Sequence, residues 1–325
     1  MGEEQLLELA GGRKIAYAQS GNASSTTVLI FFHGVFGVGD ASNSSPVLAA
    51  KNISFLAPTL PGWGNSSPIP ASKPYHVALA EDITALLKHL YPDGEDSKLT
   101  LYVAGGSFGT VPAQMLYGAP FDIFPLGRRV AGCLLLAPFS PFRHHTEYTK
   151  TMTLPNYISV GPPSQWIPFH LTQRLIAKVV RSKVKTQASA ETFIREELFD
   201  KMAEEEQAAF RRWREGKSRT EDEVVQSMAG NVVKSVAKTW AGFMAVSDIL
   251  HSDWGFRPDT LDTDHTKRPI FIVTSTADTM APNAMAKWLA TQYENAKLQT
   301  LTGGHISSLF YQDKIFDEFL DGVQG

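Results

Sequence analysis

The sequence predicts an α/β protein whose mostly parallel sheet carries an inserted helical domain. Short apolar segments bounded by Gly and Pro alternate with longer helical patterns, which is typical of strand–helix–strand units. Most of these segments are continuously apolar, as expected for strands that are covered on both faces. Residues 141–250 interrupt the alternation with helical patterns alone. With 325 residues, 43% of them hydrophobic, the chain is long enough to bury a substantial core.

The strands are predicted in chain order from these segments. The stretch LLELAGGRKIAYAQSG near the amino terminus places Gly11 and Gly12 between two short runs and predicts an antiparallel hairpin at one edge of the sheet. Further strands are predicted at residues 28–32, 53–57, 99–104, 130–136, 270–274 and 297–301.

Helices are predicted to cover the sheet at residues 77–90, 110–117, 283–293 and 307–320. Each has apolar residues three or four positions apart, such as Ile83, Leu86 and Leu90 in the first. The helical insertion is predicted at residues 141–250, so that residues 1–140 and 251–325 form the core domain. The insertion has a basic part followed by an acidic part, which we interpret as solvated helix faces.

Composition and charge argue against several classes of function. The net charge is −3 and no basic tail or stripe offers phosphate contacts, so nucleic acid is not an expected partner. Cys133, the single cysteine, lies in the apolar segment VAGCLLLAPF and is expected to be a small buried residue. His144 and His145 are interpreted as a surface pair. Because no phosphate loop, dinucleotide fingerprint or cysteine cluster is present, we expect no cofactor and no metal.

The sequence shows no sign of export or of membrane insertion. The start, MGEEQLLELAGG, is acidic and lacks the apolar segment of a signal peptide. The longest uncharged apolar run, residues 130–142, is too short to span a bilayer. We therefore expect a cytoplasmic location, no membrane partner, a small-molecule substrate, and a monomer or homodimer.

The stretch YVAGGSFGT, residues 102–110, contains the pattern Gly-x-Ser-x-Gly. Because it follows a predicted strand and precedes a predicted helix, it has the context of a nucleophile elbow. In such a turn the serine takes an unfavourable backbone conformation that exposes its hydroxyl, while the flanking glycines let helix and strand approach closely. Ser107 is therefore predicted to be a catalytic nucleophile.

A nucleophilic serine needs a base and a group that orients this base. His305, in LTGGHISS, follows the last predicted strand, and Asp278, in TSTADTMAP, follows the strand before it. Because the carboxyl ends of parallel strands meet at one edge of a sheet, Ser107, Asp278 and His305 are predicted to form a catalytic triad. Three other aspartates precede the strand at 270–274 and are expected at the opposite edge: Asp259, Asp262 and Asp264.

A tetrahedral oxyanion requires hydrogen-bond donors where its negative charge develops. The backbone N–H of Phe108, directly after Ser107, is one predicted donor. The second is predicted at Val35 in HGVFG, the loop that follows the strand at 28–32, with Phe36 as its neighbour.

Five motifs in this order resemble the α/β-hydrolase superfamily: HG at 33–34, LPGWGNS at 60–66, GGSFG at 105–109, the aspartate loop TADTMAP, and GGH at 303–305. The resemblance implies an eight-stranded, mostly parallel sheet, a helical cap inserted after the sixth strand, and a pocket between them. It also implies that Ser107 attacks an acyl carbon, that His305 transfers the proton and that Asp278 orients the imidazole. Water then cleaves the acyl-enzyme.

The resemblance favours an esterase. Serine at the elbow differs from the aspartate of epoxide hydrolases and haloalkane dehalogenases in the superfamily. GGSFGT is similar to the GGSWGS of proline iminopeptidases, but HGVFG and LPGWG stand where those enzymes have HGGPG and DQRG. The sequence thus predicts a serine hydrolase of the carboxylic ester class (EC 3.1.1) acting on a moderately hydrophobic small molecule. Alternatives are hydrolysis of a thioester, lactone, N-terminal peptide or carbon–carbon bond, or a slow-turnover ligand receptor.

Overall fold

The structure, a computed structural model, describes residues 3–92 and 99–324. Within these residues eight strands form one sheet. The strands are β1 (Gln5–Glu8), β2 (Lys14–Ser20), β3 (Thr27–Phe32), β4 (Ser54–Pro58), β5 (Thr100–Gly106), β6 (Val130–Leu136), β7 (Ile270–Ser275) and β8 (Ala296–Leu301). Their order across the sheet is β1-β2-β4-β3-β5-β6-β7-β8. The eight-stranded α/β sheet is confirmed.

Most of the strand pairs are parallel. β1 and β2 form the expected antiparallel hairpin, and β2 pairs antiparallel with β4. In the hairpin turn, Gly11 and Gly12 both have a φ of 74°, which glycine adopts without steric cost. All pairs from β4 across to β8 are parallel. The loops after β3, β5, β7 and β8 therefore leave the same edge of the sheet.

The α-helices lie between and beyond these strands. They are α1 (Pro46–Ala50), α2 (Tyr75–Leu90), α3 (Thr110–Gly118), α4 (Leu154–Val160), α5 (Pro163–Trp166), α6 (Leu171–Lys183), α7 (Gln187–Ile194), α8 (Glu204–Gly216), α9 (Glu221–Val236), α10 (Ala241–His251), α11 (Thr263–Thr266), α12 (Asn283–Gln292), α13 (Ser307–Phe310) and α14 (Gln312–Gln324). The predicted final helix is therefore two helices, which are separated at Tyr311.

Helices cover both faces of the sheet. Successive residues of a strand point to opposite faces, and in β3 the neighbours Leu29 and Ile30 belong to two different core clusters. Side chains of α2, α3 and α12 pack in the cluster of Ile30, whereas α1 and α14 pack in that of Leu29. Cys133 in β6 is fully buried as expected, and burial raises the pKa of its thiol. The continuously apolar strands thus form the middle layer of the fold, between two layers of helices.

The chain between β6 and β7 forms α4 to α11 and contains no strand. Helices α4 to α10 fall in the stretch predicted to be helical, residues 141–250, except for the last residue of α10, His251. We call residues 141–250 the helical insertion. Its separation as a domain at residues 141 and 250 stays a prediction. None of the helices in the described part of the chain is both long and apolar enough to cross a bilayer.

Candidate active site

Ser107 lies in the turn between β5 and α3. Its φ of 54° falls in the left-handed region that non-glycine residues rarely adopt, as expected for a strained elbow. A Cβ at Gly105 would lie 2.1 Å from the carbonyl oxygen of Gly109, and one at Gly109 would lie 2.0 Å from that of Phe32. Only glycine fits at these two positions. The turn therefore brings α3 close to β5 and β3 and leaves Ser107 at the carboxyl edge of the sheet.

The structure brings Ser107, His305 and Asp278 together. His305 Nε2 lies 2.8 Å from Ser107 Oγ. On the other side of the ring, Nδ1 lies 2.8 Å from Oδ2 and 3.0 Å from Oδ1 of Asp278. In the tautomer that carries its proton on Nδ1, the imidazole donates to the carboxylate and Nε2 accepts from the serine hydroxyl. This is the arrangement that a base and its orienting group require.

The carboxylate of Asp278 is buried, and both of its oxygens accept hydrogen bonds. Its Oδ1 also accepts hydrogen bonds of 2.9 Å from the backbone N–H groups of Met280 and Ala281. The three other aspartates considered have partners on their own segments, away from His305. Asp259 pairs with Arg257, Asp262 with His265, and Asp264 with Lys267.

The loop after β3 lies directly against the serine. A Cβ at Gly34 would lie 3.2 Å from Ser107 Cβ and 3.6 Å from its Oγ. Val35 follows, and Phe36 has a φ of 60°, which turns the chain sharply. Among the hydrogen bonds that backbone groups of the described residues make outside regular elements, none has the N–H of Val35 as its donor. Phe108 directly follows Ser107, and the binding of an oxyanion by these two N–H groups stays a prediction.

His33 holds this loop in place, a role that the sequence did not indicate. Its Nδ1 donates to the carbonyl oxygen of Gly34 (2.8 Å), and its Nε2 accepts from the backbone N–H of Leu60 (2.9 Å). Burial lowers the pKa of His33 from 6.5 to about 4, although the hydrogen bond to Gly34 acts in the opposite direction. The neutral ring therefore ties the loop after β3 to the loop after β4.

The LPGWGNS loop, residues 60–66, joins the sheet to the helical insertion. The N–H of Gly242 donates to the carbonyl oxygen of Gly62 (2.8 Å), and the N–H of Gly64 donates to that of Ser235 (2.7 Å). Gly62 has a φ of 81°, and a Cβ there would lie 2.7 Å from the nitrogen of Gly242. This close contact explains why the loop needs glycine.

Aromatic side chains surround Phe36, next to Val35. The ring of Phe36 stacks on Phe243 at 5.3 Å and makes edge contacts with Trp63 at 5.9 Å and Trp240 at 6.0 Å. Two of these rings come from the helical insertion and one from the loop after β4. The surroundings of the loop after β3 are therefore largely apolar.

Two polar side chains of the helical insertion hold the loops that carry His305 and Asp278. Glu206 in α8 is only 5% exposed, and its Oε1 accepts a hydrogen bond from Ser307 Oγ. Asn156 in α4 donates from Nδ2 to the carbonyl oxygen of Thr279 at 2.6 Å. No sequence motif identified either residue, because both contacts join segments that are far apart in the chain.

A cavity of about 720 Å³ opens between α9 and the loops after β3 and β4. Its lining includes Asp40, which accepts a hydrogen bond of 2.9 Å from Asn231. Ser107, Asp278 and His305 are not among the residues that line it. This cavity is therefore distinct from the three-residue cluster.

His145 is not on the surface, contrary to the expectation for the His144–His145 pair. Its Nδ1 lies 2.7 Å from Ser140 Oγ, and its ring stacks on Trp288 at 4.6 Å. Burial lowers the pKa of His145. Packing against Trp288 in α12 therefore turns one of the two neighbouring histidines inward. Across the described ranges, no group of three or more His, Cys, Asp or Glu side chains is placed to hold a metal ion.

The family comparison covers most of the chain. The model of the alpha/beta hydrolase family matches residues 29–318. Among curated proteins, none matches this sequence.

Solved structures with the same fold cover nearly the whole chain. A hydrolase from Pseudomonas aeruginosa PA01 is 17% identical, with a TM-score of 0.60, over 100% of this chain and 99% of its own. An esterase from Rhodococcus sp. ECU1013 is 16% identical, with a TM-score of 0.62, and the match covers 99% of this chain and 98% of the esterase. A 2-hydroxy-6-oxo-6-phenylhexa-2,4-dienoate hydrolase from Rhodococcus sp. strain RHA1 is 15% identical, with a TM-score of 0.59. This match covers 100% of this chain and 99% of that hydrolase. At these identities the likeness shows the fold alone.

Proposed function

Since this chain belongs to the alpha/beta hydrolase family, we propose that it is a serine hydrolase that cleaves an ester or related acyl bond of a moderately hydrophobic small molecule. One observation carries the proposal. His305 bridges the hydroxyl of Ser107 and the carboxylate of Asp278, with 2.8 Å on each side. This geometry supplies a nucleophile, a base and an orienting group in hydrogen-bonded sequence.

Acylation begins when Ser107 Oγ attacks the acyl carbon. His305 Nε2 takes the hydroxyl proton, and the imidazolium so formed lies against the carboxylate of Asp278. The carbonyl oxygen becomes an oxyanion, which accepts hydrogen bonds from the N–H groups of Val35 and Phe108. When the tetrahedral intermediate collapses, the proton passes from His305 to the leaving group and Ser107 keeps the acyl group as an ester.

Deacylation repeats these steps with water as the nucleophile. His305 Nε2 accepts a proton from water, whose oxygen attacks the acyl carbon of the Ser107 ester. The second tetrahedral intermediate uses the same two backbone donors. Its collapse returns the proton to Ser107 Oγ and releases the carboxylic acid, so the reaction needs no electron transfer.

The surroundings of the loop after β3 support a substrate with an apolar portion. The ring of Phe36 contacts the rings of Trp63, Trp240 and Phe243. Burial of an apolar group against such rings is favourable, at about 25 cal/mol per Å² removed from water. We propose that the enzyme is a carboxylic ester hydrolase and that the helical insertion is the cap over the site.

The test combines a fluorophosphonate probe with a panel of p-nitrophenyl esters of increasing acyl length. The wild-type protein should be labelled on Ser107 and should turn over at least one ester many times. Ser107→Ala should abolish labelling and lower kcat by roughly 10⁴-fold or more while leaving the fold intact. Ser252→Ala, at a serine that donates only to nearby carbonyl oxygens, is the matched control and should behave as wild type.

Other outcomes separate the remaining functions. Labelling with one slow turnover would instead indicate a ligand receptor. Labelling together with fast cleavage of thioesters, lactones, N-terminal peptides or β-diketones, and none of simple esters, would keep the triad and reject the ester assignment. Absence of labelling in folded protein would reject the proposal as a whole.

A further inference from the structure

The large apolar side chains left exposed are concentrated on one part of the helical insertion. Of the nine such residues in the described part of the chain, only Leu6 lies elsewhere. The other eight are Leu154, Ile158, Trp166, Ile167, Phe169, Leu171, Leu175 and Val179. They belong to α4, α5, the turn after α5, and α6, and we call them the α4–α6 surface. Such a concentration of exposed apolar residues on a globular protein indicates an interaction site.

In helix α6 the exposed apolar residues lie on one side of the helix. Leu171, Leu175 and Val179 are four residues apart and form one stripe, which faces away from the protein. The buried residues of the same helix are Thr172, Gln173 and Ala177, and Val180 is partly buried against the core. The helix therefore has apolar residues on both sides, whereas an ordinary surface helix has them only on the buried side.

The turn before α6 presents aromatic side chains under backbone strain. Trp166 is 74% exposed and Phe169 is 82% exposed. Phe169 and His170 have φ values of 58° and 53°, in the left-handed region. Two consecutive non-glycine residues in this region are unfavourable, and such strain is often retained for a functional purpose. Here the turn places an apolar ring in water.

The charged residues of the chain segment that forms this surface are of one sign, and two carboxylates from other helices lie against it. Asp248 is 3.6 Å from His170 Nδ1, and Glu196 is 3.7 Å from Lys183 Nζ. Residues 148–190 contain no Asp or Glu, although the whole chain has a net charge of −3. The basic residues in this stretch are Lys150, Arg174, Lys178, Arg181, Lys183 and Lys185. Arg174 and Lys178 each precede a residue of the apolar stripe and are exposed. Among the described residues neither forms an ion pair.

We propose that the α4–α6 surface docks on an anionic phospholipid surface. The combination of Trp and Phe at a turn, an apolar stripe and adjacent basic side chains is the chemistry of an interfacial helix. Each Arg or Lys near an anionic membrane adds attraction, and the apolar side chains enter the acyl boundary. Pairing of two copies through the same surface would bring like charges together. The charge pattern therefore favours a lipid occupant.

This proposal departs from two expectations from the sequence, namely that the basic run is a solvated face and that the protein has no membrane partner. The docked surface also lies next to the proposed site, because Asn156 in α4 donates to the carbonyl oxygen of Thr279, the residue after Asp278. An apolar substrate dissolved in the lipid would thus be close to the loop that carries Asp278.

The test measures sedimentation of the full chain with vesicles. Wild-type protein should sediment with vesicles of phosphatidylglycerol mixed with phosphatidylcholine, and not with phosphatidylcholine alone. Arg174→Glu combined with Lys178→Glu should weaken binding by about 30-fold or more. Trp166→Ser combined with Phe169→Ser should weaken it comparably without changing the melting temperature, since both side chains are exposed.

The matched control reverses two exposed arginines on another helix of the insertion, α8, as Arg211→Glu with Arg212→Glu. This variant has the same change in net charge and should bind like wild type. Equal loss in the control would overturn the proposal, because it would indicate a net-charge effect. Failure of the wild type to sediment, or a dimer in sedimentation equilibrium that the Trp166 and Phe169 substitutions dissociate, would also overturn it. None of these readouts depends on catalytic activity.

Discussion

The carboxylate of Glu206 accepts a hydrogen bond from Oγ of Ser307, two residues after His305. The two residues belong to different parts of the fold, since Glu206 lies in α8 of the helical insertion and Ser307 begins α13 after the sheet. Gly303 and Gly304 also pack against the Glu206 side chain. The insertion therefore supports the loop that presents the proposed catalytic base.

Removal of this support should slow the reaction. Glu206→Ala leaves Ser307 without its buried acceptor and frees the loop of His305. We expect kcat to fall by at least about 10-fold, because a hydrogen bond to a charged group contributes about 1.5–3 kcal/mol. Glu206→Gln keeps an acceptor oxygen and should retain most of the activity. Steady-state kinetics with a soluble ester checks this. Glu205→Ala, at an exposed position of α8, is the control, and equal losses in both alanine variants would contradict the idea.

Asp278→Asn should inactivate the protein through the tautomer of His305. The amide oxygen must face the N–H groups of Met280 and Ala281, which leaves the amide nitrogen as a donor toward Nδ1. His305 then carries its proton on Nε2 and cannot accept that of Ser107, so kcat should drop by about 10⁴-fold.

Asp262→Asn is a matched control for this change, because Asp262 also bonds a histidine Nδ1, that of His265. We expect its kcat to stay close to the wild-type value. Activity of Asp278→Asn within tenfold of wild type would remove Asp278 from the mechanism.

Gly109→Ala should destabilise the fold, because its Cβ would lie 2.0 Å from the carbonyl oxygen of Phe32. Backbone cannot move aside at this point without disturbing β3 or the elbow, so we expect the free energy of unfolding to fall by at least about 3 kcal/mol, or folding to fail. Gly216→Ala introduces a Cβ with no atom within 4 Å and should change stability by less than about 0.5 kcal/mol. Urea denaturation compares the two variants, and similar stabilities would refute the steric argument.

The buried His33 predicts how stability depends on pH. Its pKa is lowered from 6.5 to about 4 in the fold, so between these values the unfolded chain binds a proton that the folded chain does not. The contribution of His33 to the free energy of unfolding is therefore fully present above pH 6.5. It is lost as the pH falls toward 4, where the free energy of unfolding is lower by up to about 3 kcal/mol.

The measurement is the free energy of unfolding in urea at several pH values. His33→Gln should flatten its pH dependence in this window, though not abolish it, because the pKa values of His145 and His251 are lowered too. His89→Gln, at an exposed histidine of α2, should keep the wild-type slope. An unchanged slope in His33→Gln would show that His33 does not titrate as described.

Much of the fold and the proposed cluster was predictable because its signals are local. A strand, a glycine-flanked turn and a helix follow one another around Ser107, so their meaning does not depend on distant residues. Asp278 and His305 were predicted as partners of Ser107 by one further rule, that parallel strands end at a common edge. The break at Tyr311 and the burial of His145 were missed, since each depends on packing against another element.

The amino-acid sequence by itself determined the parallel sheet and the helical character of residues 141–250. It also determined the order of the loops that carry Ser107, Asp278 and His305. Only the tertiary structure decided which side of each helix faces inward. In α6 the stripe of Leu171, Leu175 and Val179 has the period of a buried face, yet these residues are exposed and Gln173 is buried. Periodicity shows that a helix has two different sides, but the path of the neighbouring helices decides which side they cover.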